Sequence, residues 1–517
     1  MALGLTRLAS LAPGCRRVGL SATVAWPDAL RAWLSPRAEA ADVRVIECRD
    51  ERAPDVAILE TTEHLPWSGH MAVHALAEVY GAIEQADTTI VFVNTRAQAE
   101  LVFQRLWYLN EANLPIALHH GSLAREQRRK VEAAMAQGRL RAVVATSSLD
   151  LGIDWAAVDL VVQIGAPKGA SRLIQRIGRA GHRLDLTSRA LLVPANRFEV
   201  LECRAALDAV RARTLDGDPP GDGGLEVLAQ HLLGMACAAP FVPDALYGEV
   251  RRAAPYAALA RADFDDTLRF VEDGGYSLSG YRRWQRLERM KDGRLRLASR
   301  RFAQQYRLNV GTIVEAVTMQ VKLRRGRVLG EVEEYFIQGL EPGDTFVFAG
   351  EILRFEEVHE TKAIVARAAG GEAKVPAYAG GRLPLSTHLA ARVRSMLAEP
   401  QHWGGLPAPV QEWLRPMLRA MPHRRLNRQP TNHRLLPVAH SRTANSPKPI
   451  ASPCRACSGA TARYAHTSWR TSPPASAWCA AAPASATPSV PTESAKRSVA
   501  RSRSTPRPDA VPRKRST

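Results

Sequence analysis

The pattern of apolar and polar positions changes character several times along the 517 residues. Between residues 43 and 195, short apolar runs (90–93, 116–118, 142–145, 160–164 and 190–193) read as strands buried on both faces. Between them, residues 70–84, 97–109, 125–136 and 171–177 repeat apolar positions at helical spacing. Such alternation predicts an α/β lobe built on a doubly wound parallel sheet, with ligands beyond the carboxyl ends of its strands. Upstream, the pattern predicts a short helix over 5–11, a turn at Pro13-Gly14, and a buried strand over 17–20 that ends in Ser21-Ala22-Thr23. After a Gly/Asp/Pro linker at 216–224, residues 225–305 alternate helical stretches and end in Leu295-Arg296-Leu297, the order of a winged helix. Residues 306–414 hold short strands, such as 328–336 and 345–348, among frequent glycines. Beyond Leu414 the periodicity stops.

Composition changes this picture mainly at the end of the chain. The formal net charge of +19 points at first to nucleic acid. However, 19 of the 70 basic residues lie after Leu414 against only Glu493 and Asp509, so +17 belongs to the tail and +2 to the first 414 residues. The body is nearly neutral, and any case for nucleic acid must come from motifs. Between Glu412 and Glu493 lie 80 residues without a carboxylate, in a chain where one residue in ten is acidic. Rich in Pro, Ala, Ser, Thr and Arg, that stretch is expected to be disordered. It reads as a reading-frame slip or as a basic tail that binds nucleic acid non-specifically. The seven scattered cysteines fit a reducing cytoplasm, and no apolar run approaches the roughly 18 residues of a membrane span. Cys454 and Cys457 lack a second ligand pair, and His119-His120 lacks a third ligand, so no metal site is expected.

The candidate chemistry lies at the strand ends. Asn94-Thr95-Arg96 opens a helix directly after 90–93; Thr95 suits an N-cap, and free N–H groups beside Arg96 suit an anion. His119-His120-Gly121-Ser122 is followed by Arg125 and Arg128 on one helix face. Thr146, Ser147 and Ser148 put hydroxyls at a strand end, with Gly152 and Asp154 just beyond. Gln175-Arg176-Ile177-Gly178-Arg179-Ala180-Gly181-His182 sets two arginines three apart, which places both guanidinium groups on one face of a short helix. A planar, permanently charged fork suits a transferring phosphoryl group; the plainer reading is a solvated basic face.

In this order, these residues resemble the second RecA-like lobe of superfamily-two helicases. Ser21-Ala22-Thr23 matches the motif that couples the two lobes; residues 90–96, 146–154 and 175–182 match the fourth, fifth and sixth. The continuation is similar to the Lhr-type family, through Arg261-Ala262-Asp263-Phe264-Asp265-Asp266, Gly274-Gly275-Tyr276 and Asn309-Val310-Gly311-Thr312. Gly343-Asp344-Thr345-Phe346-Val347-Phe348-Ala349-Gly350 and Val375-Pro376-Ala377-Tyr378 belong with them. Within that family it looks most like the bacterial ligase-associated DEXH-box helicases of the DNA damage response. The likeness covers residues 1 to about 414.

What the resemblance implies is an ATP- and Mg²⁺-dependent motor that tracks 3′ to 5′ on single-stranded DNA and unwinds duplexes and RNA–DNA hybrids in DNA repair. By family, Arg176 and Arg179 stabilise charge on the γ-phosphate, Gln175 positions water or phosphate, and Gly152 and Asp154 contact nucleotide. Thr95, Arg96, Thr146 and Ser147 grip the DNA backbone, Tyr378 stacks on a base, and Ser21 and Thr23 couple the lobes. A core tyrosine is the competing reading of Tyr378. The family ends its sixth motif with a histidine, and His182 carries no catalytic role here. The implied organisation is residues 1–40 as a remnant of the first lobe, 41–215 as the second, 222–305 as the winged helix, 306–414 as the β-rich module and 415–517 as the tail. A DNA ligase and a phosphoesterase are the family's partners.

The family's phosphate loop requires Gly-Lys, and that dipeptide does not occur in the chain. Asp50-Glu51 follows Ser21-Ala22-Thr23, whereas the family's acidic motif precedes it. The expectation is a fragment that does not turn over ATP alone and needs a separately encoded first lobe. The alternatives are a non-catalytic nucleic-acid-binding protein and a decayed gene product.

Overall fold

The computed structural model describes residues 1–21, 23–35, 43–47, 53–69, 71–150, 158–180, 187–275, 278, 280–312, 317–370, 373–378 and 385–420. Gly152, Asp154, Gly181, His182, Asp50, Glu51, Cys454, Cys457 and the tail beyond 420 lie outside them.

Two helices, α1 (Ala2–Leu11) and α2 (Pro27–Leu34), precede the sheet. Residues 17–20 between them form no strand. A strand persists only by pairing with a neighbour, none lies beside this segment among the described residues, and Val18 and Leu20 stay exposed.

The lobe follows as β1 (Asp55–Ile58), α3 (Leu76–Gln85), β2 (Thr89–Phe92), α4 (Arg96–Leu109), β3 (Ile116–His119), α5 (Arg125–Ala136), β4 (Ala142–Ala145), β5 (Leu160–Ile164), α6 (Ala170–Ile177), β6 (Arg189–Val193) and α7 (Arg197–Arg211). All strands pair in parallel, in the order β1-β6-β5-β2-β4-β3. The apolar runs become strands because each is buried on both faces: every residue of β2, β4 and β5 is buried. Ile90, Phe92 and Val161 face one core, with Leu173 and Leu201. Val91 and Val162 face the other, with Val102 and Leu106 of α4. The predicted helix over 70–84 begins instead with a 3₁₀ turn, Val73–Ala75.

The winged helix comprises α8 (Leu225–Ala238), α9 (Pro243–Arg252), α10 (Arg261–Asp273), the hairpin β7 (Leu287–Arg289) with β8 (Leu295–Leu297), and α11 (Arg300–Leu308). Its core takes in Ala2 and Leu3 of α1, and Arg7 meets Glu249 at 3.1 Å. Trp284 sits on one 3₁₀ turn (Arg282–Trp284) and is half-buried, and Arg289 lies in β7.

The β-rich module is a five-stranded sheet ordered β10-β9-β13-β12-β11, from β9 (Thr318–Leu323), β10 (Val328–Glu333), β11 (Thr345–Phe348), β12 (Glu351–His359) and β13 (Lys362–Arg367). A short helix, α12 (Glu334–Gln338), takes the last three residues of the strand predicted over 328–336. The chain then leaves the module: α13 (Thr387–Ala398) and α14 (Ala408–Ala420) pack through Leu389, Met396, Val410 and Trp413 on the same core of the parallel-sheet lobe that holds Leu173 and Leu201. The Trp413 ring meets Trp67 and Phe198 edge-on at 5.7 and 5.2 Å.

Candidate functional site

The arginine stretch is split by the end of α6. Arg176 is on the helix and Arg179 in the turn beyond it, so the two do not share a helix face; they converge on Asp150 instead. Arg176 is 2% exposed. Its Nε donates to Asp150 Oδ1 at 2.9 Å, its Nη1 to Gln163 Oε1, and its guanidinium lies 4.7 Å from the Phe92 ring centre. Burial pushes the Arg176 pKa down and the Asp150 carboxylate opposes that shift. Arg179 is half-buried and donates from Nη2 to the Asp150 carbonyl at 3.0 Å. The pair thus divides into a guanidinium enclosed in the lobe and one at its rim.

Gln175 reaches across the chain: its Nε2 donates to Thr23 Oγ1 at 2.6 Å, joining two motifs 152 residues apart in sequence. Ser21, exposed, accepts from the Thr23 N–H at 3.3 Å. Thr23 and Gln175 line a groove of about 560 Å³ with Trp26, Lys168, Arg172 and Asp216. Asp216, from the linker, caps α6: its carboxylate accepts from the N–H groups of Ala170 (2.7 Å) and Ser171 (2.9 Å) and from Ser386 Oγ (2.5 Å). An anion at a helix N-terminus also meets the positive end of the dipole. Burial raises the Asp216 pKa, but these hydrogen bonds outweigh it and hold the carboxyl below its ordinary value. The Trp26 indole donates to the Gly217 carbonyl at 2.8 Å, so both ends of the groove grip the linker.

The second cluster lies past β2 and β3. Thr95 is the N-cap of α4, its Oγ1 accepting from the Gln98 N–H at 3.1 Å, worth about 1 kcal/mol. Arg96 donates from Nη1 to Ser122 Oγ at 3.0 Å and stacks at 5.1 Å over the ring of Tyr378. Burial pushes the Tyr378 phenol well up. The segment carrying Tyr378 is held along β11, where Lys374 N–H donates to the Thr345 carbonyl at 2.7 Å. Thr146 is buried and Ser147 exposed at the end of β4; no contact brings either to Arg96.

Beneath Tyr378 the module is fastened to the lobe. Glu100 on α4 is fully buried; its Oε1 accepts from the Ala349 N–H (2.7 Å) and from His120 Nε2 (3.0 Å), and its Oε2 from the Gly350 N–H (2.8 Å). Gly350 has φ +77°, and a Cβ there would lie 2.5 Å from the Phe103 ring. Gly330 of β10 pairs with Leu123, and a Cβ on it would come 2.1 Å from the Ser122 carbonyl oxygen. His119 bonds Ser148 and Glu132, so the two histidines face different partners.

Gln175, Thr23, Arg176 and Arg179 thus gather at one side of the sheet's carboxyl edge, and Thr95, Arg96 and Tyr378 at the other. Sequence reasoning missed Asp150, Gln163, Asp216 and Glu100. Each acts through backbone or a buried partner, and neither a lone polar residue in a buried strand nor an acidic one in a turn, helix or linker carries a local signal of that.

This parallel-sheet lobe, followed by a winged helix and a β-rich module, defines the architecture of a helicase C-terminal domain with its appended modules. A profile of the family described as "Helicase conserved C-terminal domain" matches residues 71–183, and one described as "Large helicase-related protein, winged helix domain" matches residues 208–375. The chain is 35% identical to the ATP-dependent helicase Lhr-Core protein 2 of Thermococcus barophilus over 77% of its own length and 47% of the relative's. It is 30% identical to the Lhr helicase/probable uracil glycosylase of Mycolicibacterium smegmatis over 77% of its own length and 29% of the relative's. A solved structure of Mycobacterium smegmatis helicase Lhr bound to ssDNA and AMP-PNP superimposes with a TM-score of 0.58 at 27% identity, covering 81% of this chain and 52% of that one. The chain belongs to the Lhr family of helicases. It spans about half or less of the length of these relatives.

Proposed function

We propose that the chain supplies the second RecA-like lobe and strand-gripping modules of an ATP-dependent 3′-to-5′ DNA helicase acting in repair. The observation that carries this reading is the Gln175–Thr23 hydrogen bond at 2.6 Å, which joins the lobe-coupling motif to the arginine motif at one groove. The solved Lhr relative binds ssDNA and AMP-PNP, which supports nucleic acid and nucleotide as the ligand classes.

The donor set fits a polyphosphate. The Gln175 amide and Arg172 line the groove from α6, and Arg179 lies half-buried in the turn that follows the helix. ATP, when bound between this wall and a lobe with a phosphate loop, supplies the free energy for lobe closure. Arg179 is the group that reaches the γ-phosphate. Arg176 is a positioning residue that holds Asp150 and hence the turn carrying Arg179. Gly152 and Asp154 contact nucleotide, and Ser21 and Thr23 pass lobe movement to Gln175. Among the described residues no cluster of His, Cys, Asp and Glu fits a metal ion, so Mg²⁺ is assigned no ligand here. Thr95, Arg96, Thr146 and Ser147 hold phosphates irrespective of sequence, while Tyr378 stacks on a base for about 1–3 kcal/mol. An RNA–DNA hybrid is a second substrate, and a DNA ligase and a phosphoesterase are partners to test.

The test mixes the 517-residue chain with a separately expressed phosphate-loop lobe from an Lhr relative and measures ATP turnover with and without single-stranded DNA. DNA-stimulated turnover by the mixture, with none by either piece, is expected. DNA binding that nucleotide and the added lobe leave unchanged, without turnover, would favour a non-catalytic binding protein.

A further inference from the structure

We propose that the exposed arginines of α5 and of the β9–β10 hairpin form one track for the sugar–phosphate backbone of the strand that leaves Arg96 and Tyr378. This rests on the nucleic-acid reading above and extends it to a surface that reading leaves unused.

Arg125, Arg128 and Arg129 lie at three- and four-residue spacing at the start of α5 and share one face. The hairpin tip carries Arg324-Arg325-Gly326-Arg327, all exposed. Backbone pairing brings the two elements together: the Ala124 N–H donates to the Leu329 carbonyl at 2.9 Å and the Glu331 N–H to the Ser122 carbonyl at 2.8 Å. With the Gln127 amide turned to present its oxygen, the Arg327 guanidinium meets it at 2.9 Å. The surface is therefore composite, contributed by both domains across the same junction that holds Tyr378.

Its charge is largely uncompensated. Lys130 pairs with Glu126 (2.7 Å) and Arg324 with Glu356 (3.4 Å), but among the described residues Arg125, Arg129 and Arg325 meet no carboxylate. Basic side chains at a helix N-terminus oppose its dipole, and Ala124 supplies no side-chain cap. The body of the chain is nearly neutral, so this concentration of arginine is local and not a share of general basicity. It also starts at the grip: Ser122, which Arg96 holds, is three residues before Arg125. Guanidinium groups at such a place bind phosphates without reading bases.

The test is equilibrium binding of the full chain to labelled oligo-dT of about 6 and about 20 nucleotides across a salt series. For Arg125→Gln/Arg129→Gln/Arg325→Gln, the longer strand should lose about 2 from the slope of log affinity against log salt, since each phosphate contact contributes about 0.7 on single strands. Its low-salt affinity should fall roughly 10- to 100-fold, with the shorter strand bound within about 2-fold of wild type. Arg105→Gln/Arg189→Gln/Arg211→Gln removes the same charge elsewhere and should change neither slope. An unchanged slope in the first variant, or an equal loss in the second, overturns the track and leaves the helicase reading standing. Failure of the wild-type chain to bind either strand in a salt-dependent way overturns both.

Discussion

The carboxyl edge of the parallel sheet is finished differently on its two sides. Beside α6, Arg176, Asp150 and Gln163 satisfy one another inside the lobe, while Gln175 lines an open groove and Arg179 lies half-buried in the turn beyond the helix. Beside α4, Glu100 and His120 are covered by a second module whose backbone N–H groups complete the carboxylate. Both sides obey one constraint, that a buried charge needs partners. On the first side they come from the lobe alone, which leaves a pre-ordered rim. On the second they come from 250 residues away, which fastens the β-rich module to the lobe.

Substitutions, taken from the largest expected cost downward, test this difference between the two sides. Arg176→Ala strands a buried carboxylate and should cost about 4 kcal/mol in urea unfolding, whereas Arg179→Ala should stay within about 0.5 kcal/mol. Equal costs would erase the division between enclosed and rim arginine. Glu100→Ala leaves two backbone donors and His120 unpaired, for a loss of about 3 kcal/mol and earlier proteolytic release of the β-rich module. A protected module would show that the latch is not what holds it. Gly330→Ala forces a methyl group against the Ser122 carbonyl and should cost about 2 kcal/mol by the same assay, with α6 untouched.

Asp216→Asn should cost less than the Arg176, Glu100 and Gly330 substitutions, about 1 kcal/mol from a weakened cap. Because the folded pKa of Asp216 lies below its unfolded value, near 3.9, the contribution of its charge is fully present above that value. It is lost as the pH falls through the folded pKa. The stability gap between wild type and Asp216→Asn should therefore close in acid and stay constant near neutrality. A gap independent of pH would mean that the cap acts without its charge.

Much of the lobe was legible because its strands are apolar on both faces, and periodicity reports burial directly. Residues 142–145 and 160–164 became strands at those bounds, and 125–136 a helix. The segment over 17–20 misled because a strand is a property of two segments, and an apolar run cannot announce its neighbour. The arginine motif was legible as chemistry but not as geometry. Nothing in the spacing of Arg176 and Arg179 tells that one guanidinium packs on Phe92 while the other stops at the rim. Glu100, between Ala99 and Leu101 on an amphipathic helix, reads as a solvated charge until the Ala349-Gly350 turn is folded over it.

The most direct measurement is the ATP turnover number of this chain mixed with a separately expressed phosphate-loop lobe, at saturating single-stranded DNA and ATP, for wild type and Arg179→Ala. A fall of about 10³-fold or more, with the variant as stable as wild type, is the predicted result. Undiminished turnover in the Arg179→Ala mixture would contradict it.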